Sequence, residues 1–66
     1  MQITVNGETV DIADGATLTS LIEQLGLNPK KVAVERNLEI APKSLYAEIA
    51  LAEGDRIEIV QFVGGG

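Results

Sequence analysis

The sequence closes on Gly64-Gly65-Gly66, which sets one reactive group apart from the rest: an α-carboxylate with no side chain near it. Glycine suits such an end, because no Cβ obstructs the approach to the carboxylate or shields it from a nucleophile. An α-carboxyl group is ionised at neutral pH, with an ordinary pKa of about 3.3–3.7. It is therefore a poor electrophile until it is activated, as an acyl-adenylate for instance. The terminal glycines do not resemble G-x-x-x-x-G-K-[ST], so a partner must bring the ATP site. Composition alone leaves three readings open. The run is a frayed end without a role, a remnant of cloning or domain fusion, or a tail that an enzyme threads into a narrow channel.

No other residues offer comparable chemistry. The 66 residues include no Cys and no His, which removes the thiol nucleophile, the imidazole base and the usual zinc ligands. Ser20 and Ser44 have no sequence context of a triad. A chain this short leaves little room for a closed, water-free cleft. No catalytic residue and no metal ligand is expected, and the protein is read as one that enzymes act on. Ten Asp/Glu against five Lys/Arg give a net charge of −5. That balance argues against nucleic acid and against an anionic membrane surface. It serves solubility, or it faces a basic protein partner. No apolar run approaches the length of a membrane span, and no signal pattern opens the chain. The missing cysteines fit a cytoplasmic location.

The elements that must position the tail are legible upstream. In "MQITVNGETVDI", Ile3 and Val5 alternate with polar neighbours, as do Val10 and Ile12. Asn6-Gly7 between them favours a type I′ turn, so a β-hairpin is expected. Leu18, Leu21, Ile22 and Leu25 then fall on one face of a short helix. Thr17 is its expected N-cap and Gly26 its C′ residue, and Pro29 blocks continuation. Val32 and Val34 face inward on a third strand, Asn37 makes a turn, and Leu38 to Ile40 form a short strand that Pro42 ends. Within "KSLYAEIALAEGD", Ser44 is a candidate cap of one helical or 3₁₀ turn. Leu45, Tyr46 and Leu51 are its candidate core residues. "RIEIVQF" is a closing strand rich in β-branched residues, lying beside the first strand and thus central. The order fits an α+β fold of the ubiquitin-like β-grasp type, with a mixed sheet of four to five strands on one main helix. Residues 1–62 form the expected domain and 63–66 a flexible C-terminal tail.

Alternation splits the last strand into two faces. Ile57 and Ile59 point inward against Leu21, Ile22 and Leu25. Glu58, Val60 and Phe62 point away from the helix, where either the 44–51 segment covers them or a partner docks on them. Placing the only Phe of the chain outward wastes core material in so small a protein, which favours docking. Energetics agree. Extended, Val63 to Gly66 reach roughly 13–14 Å, enough to enter a partner's active site. Ordering the glycines costs roughly 3–6 kcal/mol. Burying Val60 and Phe62 returns about 1.5–3 kcal/mol each. The near-cancellation leaves acidic contacts to decide the affinity and makes docking transient.

The stretches "VAVERNLEIAPKS" and "LAEGDRIEIVQFVGGG", with the opening "ITVNGE", give the chain a family resemblance over essentially its whole length. It resembles the sulfur carrier proteins of thiamine biosynthesis, the ThiS family. Ubiquitin and the small subunit of molybdopterin synthase are similar in fold and in a terminal Gly-Gly. Ala41 before Pro42 departs from the pattern, where a larger aliphatic residue is expected. The resemblance implies that Gly66 is the modified residue, with Gly64 and Gly65 threading into the partner. It implies an adenylating, E1-like enzyme that uses ATP, a persulfide protein that supplies sulfur, and thiazole synthase as the consumer of a C-terminal thiocarboxylate. No cofactor bound by this chain is implied. The alternatives are sulfur transfer to molybdopterin or another metabolite, and a ubiquitin-like modifier or interaction module.

Overall fold

The computed structural model describes residues 1–62; the expected tail 63–66, with Gly64, Gly65 and Gly66, lies outside them. Strands β1 (Gln2–Val5) and β2 (Glu8–Asp11) form the expected antiparallel hairpin. Asn6 and Gly7 both take positive φ, 50° and 83°, as a type I′ turn requires. Helix α1 spans Leu18–Gln24, followed by a 3₁₀ turn at Pro29–Lys31, β3 (Val32–Arg36) and β4 (Glu39–Ala41). A second 3₁₀ turn at Lys43–Leu45 precedes β5 (Arg56–Gln61). The sheet order is β2-β1-β5-β3-β4, so the last strand is central, parallel to β1 and antiparallel to β3. This is a ubiquitin-like β-grasp: one mixed sheet of five strands with one α-helix against its inner face.

Helix α1 is short, so its ends and its buried face decide whether it forms. Thr17 caps it in a reciprocal box with Ser20: the Ser20 N–H donates to Thr17 Oγ1 and the Thr17 N–H to Ser20 Oγ. At the other end Gly26 (φ 77°) donates to Glu23 O and Leu27 donates to Ile22 O, which satisfies two of the last carbonyls. Leu18, Leu21 and Ile22 are fully buried against Ile3, Val5, Val32, Val34, Ile57 and Ile59.

Three expectations need correction. Leu25 does not complete the buried face: it is 38% exposed, because the helix ends at Gln24 and the chain reverses, so that Leu27 packs on the core instead. Leu45 is 39% exposed. The 3₁₀ turn directs its neighbour Tyr46 inward, and the Tyr46 hydroxyl donates to Val32 O at 3.1 Å. Ser44 is no cap; it lies inside a turn whose N-cap is Pro42, with no side-chain cap bond. Ala41 is buried opposite Val34, so the small residue fills a position on the inner face.

Candidate functional site

Strand β5 leads directly to the glycine run, so what holds it fixes where the tail begins. Both of its edges are paired, and two asparagine side chains lengthen those ladders. At the end of β1, Asn6 offers its side-chain amide as a further rung: Ile59 N–H donates to Asn6 Oδ1 at 2.9 Å and Asn6 Nδ2 donates to Ile59 O at 3.2 Å. At the end of β3, Asn37 Oδ1 accepts from Arg56 N–H at 2.9 Å, and the Asn37 N–H donates to Arg56 O at 2.8 Å. Asn37 and Leu38 form the β3–β4 turn with φ of 52° and 70°. Asparagine tolerates this left-handed backbone.

Asp55, just before β5, is the one buried charged residue among those described. Its Oδ2 accepts from Arg36 Nε and from the Ala52 N–H, each at 2.9 Å, and its Oδ1 accepts from Asn37 Nδ2 at 3.1 Å. Burial pushes this carboxyl up. The Ala52 N–H, the Asn37 amide and the Arg36 guanidinium together outweigh burial and hold it below the ordinary carboxylate value.

The outer side of β5 carries Arg56, Glu58 and Val60, with Phe62 beyond its end, all exposed. Val60 is 63% and Phe62 52% exposed, so the 44–51 segment does not cover them. The strand register adds neighbours that sequence reasoning missed. Ala33 lies opposite Val60, Glu35 opposite Glu58, and Ile40 opposite Glu35. Ile40 is 80% exposed. Ala33, Glu35, Ile40, Glu58 and Val60 line an open groove of about 170 Å³ floored by Val34. The spacing Glu35 to Ile40 across an Asn37 turn was a usable signal for the β3–β4 half. The register of β3 on β5 was not.

Lys43 is a second residue missed. Its ammonium lies 4.8 Å from the centre of the Phe62 ring and donates to Lys30 O at 2.8 Å. The Phe62 N–H donates to Lys31 O at 2.9 Å. Phe62 is thus tied by its backbone to the chain before β3 and by its ring to the segment after β4. Glu58, Val60 and Phe62 all lie along the outer side of β5 and its end, as expected; Gly64, Gly65 and Gly66 lie outside the described residues. Among the described residues no group of three or more acidic, His or Cys side chains is placed to hold a metal ion. No described helix is long and apolar enough to cross a membrane.

Comparison with known proteins gives this geometry a context. The model of the ThiS family matches residues 3–66. The chain is 50% identical over 66 residues to a thiazole synthase of Paramagnetospirillum magneticum, covering all of this chain and 20% of that protein. It therefore spans one-fifth of that relative's length. Over 53 residues it is 49% identical to the sulfur carrier protein ThiS of Bacillus subtilis, with 80% of each chain covered. The crystal structure of the thiamine biosynthesis protein (ThiS) from Geobacter metallireducens superimposes with a TM-score of 0.84 at 30% identity, covering 100% of both chains.

Proposed function

The chain belongs to the ThiS family, and from that premise we propose that it is a sulfur carrier of thiamine biosynthesis, loaded at Gly66. The observation that carries this reading is that the family match runs through the whole glycine run to residue 66. A carboxylate there is activated by an E1-like partner as an acyl-adenylate, with ATP bound by that partner. A persulfide sulfur then displaces AMP to form an acyl disulfide with the donor, and a second thiol attacks the donor's sulfur, which closes a disulfide between those two thiols and releases the Gly66 thiocarboxylate. Gly64 and Gly65 lead Gly66 into the partner's channel, and Glu58, Val60 and Phe62 dock the body outside it. The chain supplies no catalytic group; it presents a substrate. Thiazole synthase is the proposed client and the cytoplasm the proposed location. The relative named thiazole synthase, half identical over this chain's length, supports that client.

Removing Gly65 and Gly66 tests the assignment. The truncated protein is expected to keep its fold by circular dichroism and urea denaturation, and to lose all ability to support thiamine-independent growth. Intact-mass spectrometry of the full chain, incubated with the adenylating enzyme, ATP and a sulfur donor, is expected to show one oxygen exchanged for sulfur. A truncated protein that still supports growth, or a full chain never found thiolated, overturns the reading. Loss of molybdoenzyme activity with thiamine synthesis intact would instead assign the carrier to molybdopterin.

A further inference from the structure

The outer-face groove contains an arrangement that the fold alone does not explain. Residues directly opposite on paired strands have Cβ atoms about 4.5–5.5 Å apart, and like charges there destabilise the pair. Glu35 of β3 and Glu58 of β5 occupy such positions, both exposed. The ion pairs among the described residues are Met1–Asp14 and Arg36–Asp55, which involve neither glutamate. Arg56 stands on the same face of β5 but forms no ion pair with Glu58. The flanks are apolar: Ile40 on one side, Val60 and Ala33 on the other. The free protein thus holds two negative charges side by side, flanked by apolar residues on the β4 side and along β5 at Val60, with Thr4 and Arg56 on the β1 side.

We propose that this groove is a docking pocket for one arginine side chain of the partner protein, whose guanidinium lies between Glu35 and Glu58 and whose aliphatic stem lies against Ile40 and Val60. The inference rests on the carrier reading, and it names the chemistry of the partner's contact. Charge complementarity selects a cation over a purely apolar occupant. Geometry selects arginine over lysine, because its planar fork presents several donors at once and satisfies two carboxylates from one residue. Arginine is also enriched at the energetic centres of interfaces, ringed by contacts that exclude water. Repulsion between the glutamates is relieved on binding, so the pair favours the complex while slightly destabilising the free chain.

The test measures binding and activation separately, with the adenylating enzyme as the probe. Glu35→Gln/Glu58→Gln is compared with Glu8→Gln/Glu48→Gln, which changes net charge equally at exposed positions elsewhere. The groove variant is expected to weaken calorimetric binding and to raise KM by about 10- to 100-fold, the range of lost charge-assisted hydrogen bonds, with kcat unchanged. Its urea midpoint is expected to stay level or rise. The control variant is expected to change binding by less than about 3-fold, as general charge steering does. Arginine-specific modification of the enzyme by phenylglyoxal should weaken wild-type binding and add little to the groove variant. Unchanged binding in the groove variant, equal effects in the two double variants, or full additivity with phenylglyoxal overturns the arginine pocket. A wild-type chain that is bound but never adenylated overturns the carrier reading alone. One that is not bound at all overturns both.

Discussion

Substituting threonine on the two faces of β5 separates docking from folding within one strand. Val60 and Ile57 are three residues apart on opposite sides of the sheet: Val60 is 63% exposed and Ile57 fully buried. Threonine nearly preserves the shape of valine and is itself a good strand former, so backbone preference is held nearly constant at position 60. In the free protein Val60→Thr exchanges a solvent-facing methyl for a hydroxyl, and stability should stay within about 0.5 kcal/mol. In the complex the accounting differs. Full burial of a valine side chain is worth about 1.5–3 kcal/mol. Val60 is 63% exposed and so open to a partner; threonine keeps one methyl, so the loss is burial of the other, about 0.8 kcal/mol, plus desolvation of the hydroxyl, about 0.5–2 kcal/mol, which leaves roughly 1–2 kcal/mol at stake. That corresponds to a loss of about 5- to 30-fold in affinity for the adenylating enzyme. Ile57→Thr removes apolar volume and sets a hydroxyl in the core, which costs about 2–4 kcal/mol of stability. Urea denaturation and calorimetric titration, run on both variants, check the pair. If Val60→Thr lowers the urea midpoint as Ile57→Thr does, the face assignment is wrong. If it leaves both midpoint and affinity unchanged, Val60 is not part of the docking surface.

Asp55→Asn is expected to flatten the acid limb of the stability profile. The folded-state carboxyl lies below its ordinary value, so its contribution is fully present above about pH 3.9 and is lost as pH falls through the lower folded value. Urea midpoints taken from pH 7 down to pH 2 should fall less steeply below pH 4 in the variant, which should also be less stable at pH 7; parallel curves would remove Asp55 as the cause. Lys43→Met keeps the aliphatic stem and removes the ammonium from the Phe62 ring and from Lys30 O. Faster amide exchange at Phe62 and a KM for adenylation raised about 2- to 5-fold are expected, with partial recovery in Lys43→Arg. An unchanged Phe62 exchange rate would mean that the contact does not hold the tail's root.

The legible parts of the fold are those whose signals are local. Asn6-Gly7 specifies a turn through its own backbone preference, and Thr17 and Gly26 end the helix through bonds within a few residues of themselves. The two faces of β5 follow from a period of two, which places Val60 outside without knowledge of what lies beside it. The misses have non-local causes. Leu25 continues the helical spacing, but the reversal after Gln24 hands its place to Leu27. Asn37 reads as a turn residue, yet its side chain also completes a ladder with Arg56, a role that exists only once β3 and β5 are aligned. The same alignment brings Glu35 beside Glu58 and so creates the groove. In the linear sequence Glu58 stands out only as an outward residue of the last strand, and Glu35 does not stand out at all. Gly66 was legible as a chemical group from residue type alone, while sulfur entered only through the family.

On the carrier reading proposed above, the central position of β5 explains how weak docking can still deliver a carboxylate. A tail attached to a loosely held edge strand would spread its end over a large volume, and binding energy gained by the body would not constrain it. Here β5 is paired on both sides, extended by the amides of Asn6 and Asn37, and finished by the Phe62 contacts with Lys31 and Lys43. Val60, Glu58 and the root of the tail therefore move as one body. On that reading, contact on the outer face fixes the point from which the chain leads on after Phe62, and holding three glycines in a partner's channel costs roughly 3–6 kcal/mol. Burial of Val60 and Phe62 would nearly offset that cost, and the proposed arginine pocket would then determine whether the complex persists. Attraction of this kind weakens with added salt. The carrier cycle accordingly predicts an affinity whose salt dependence resides in Glu35 and Glu58, strong enough for activation and weak enough to release the loaded protein to its client.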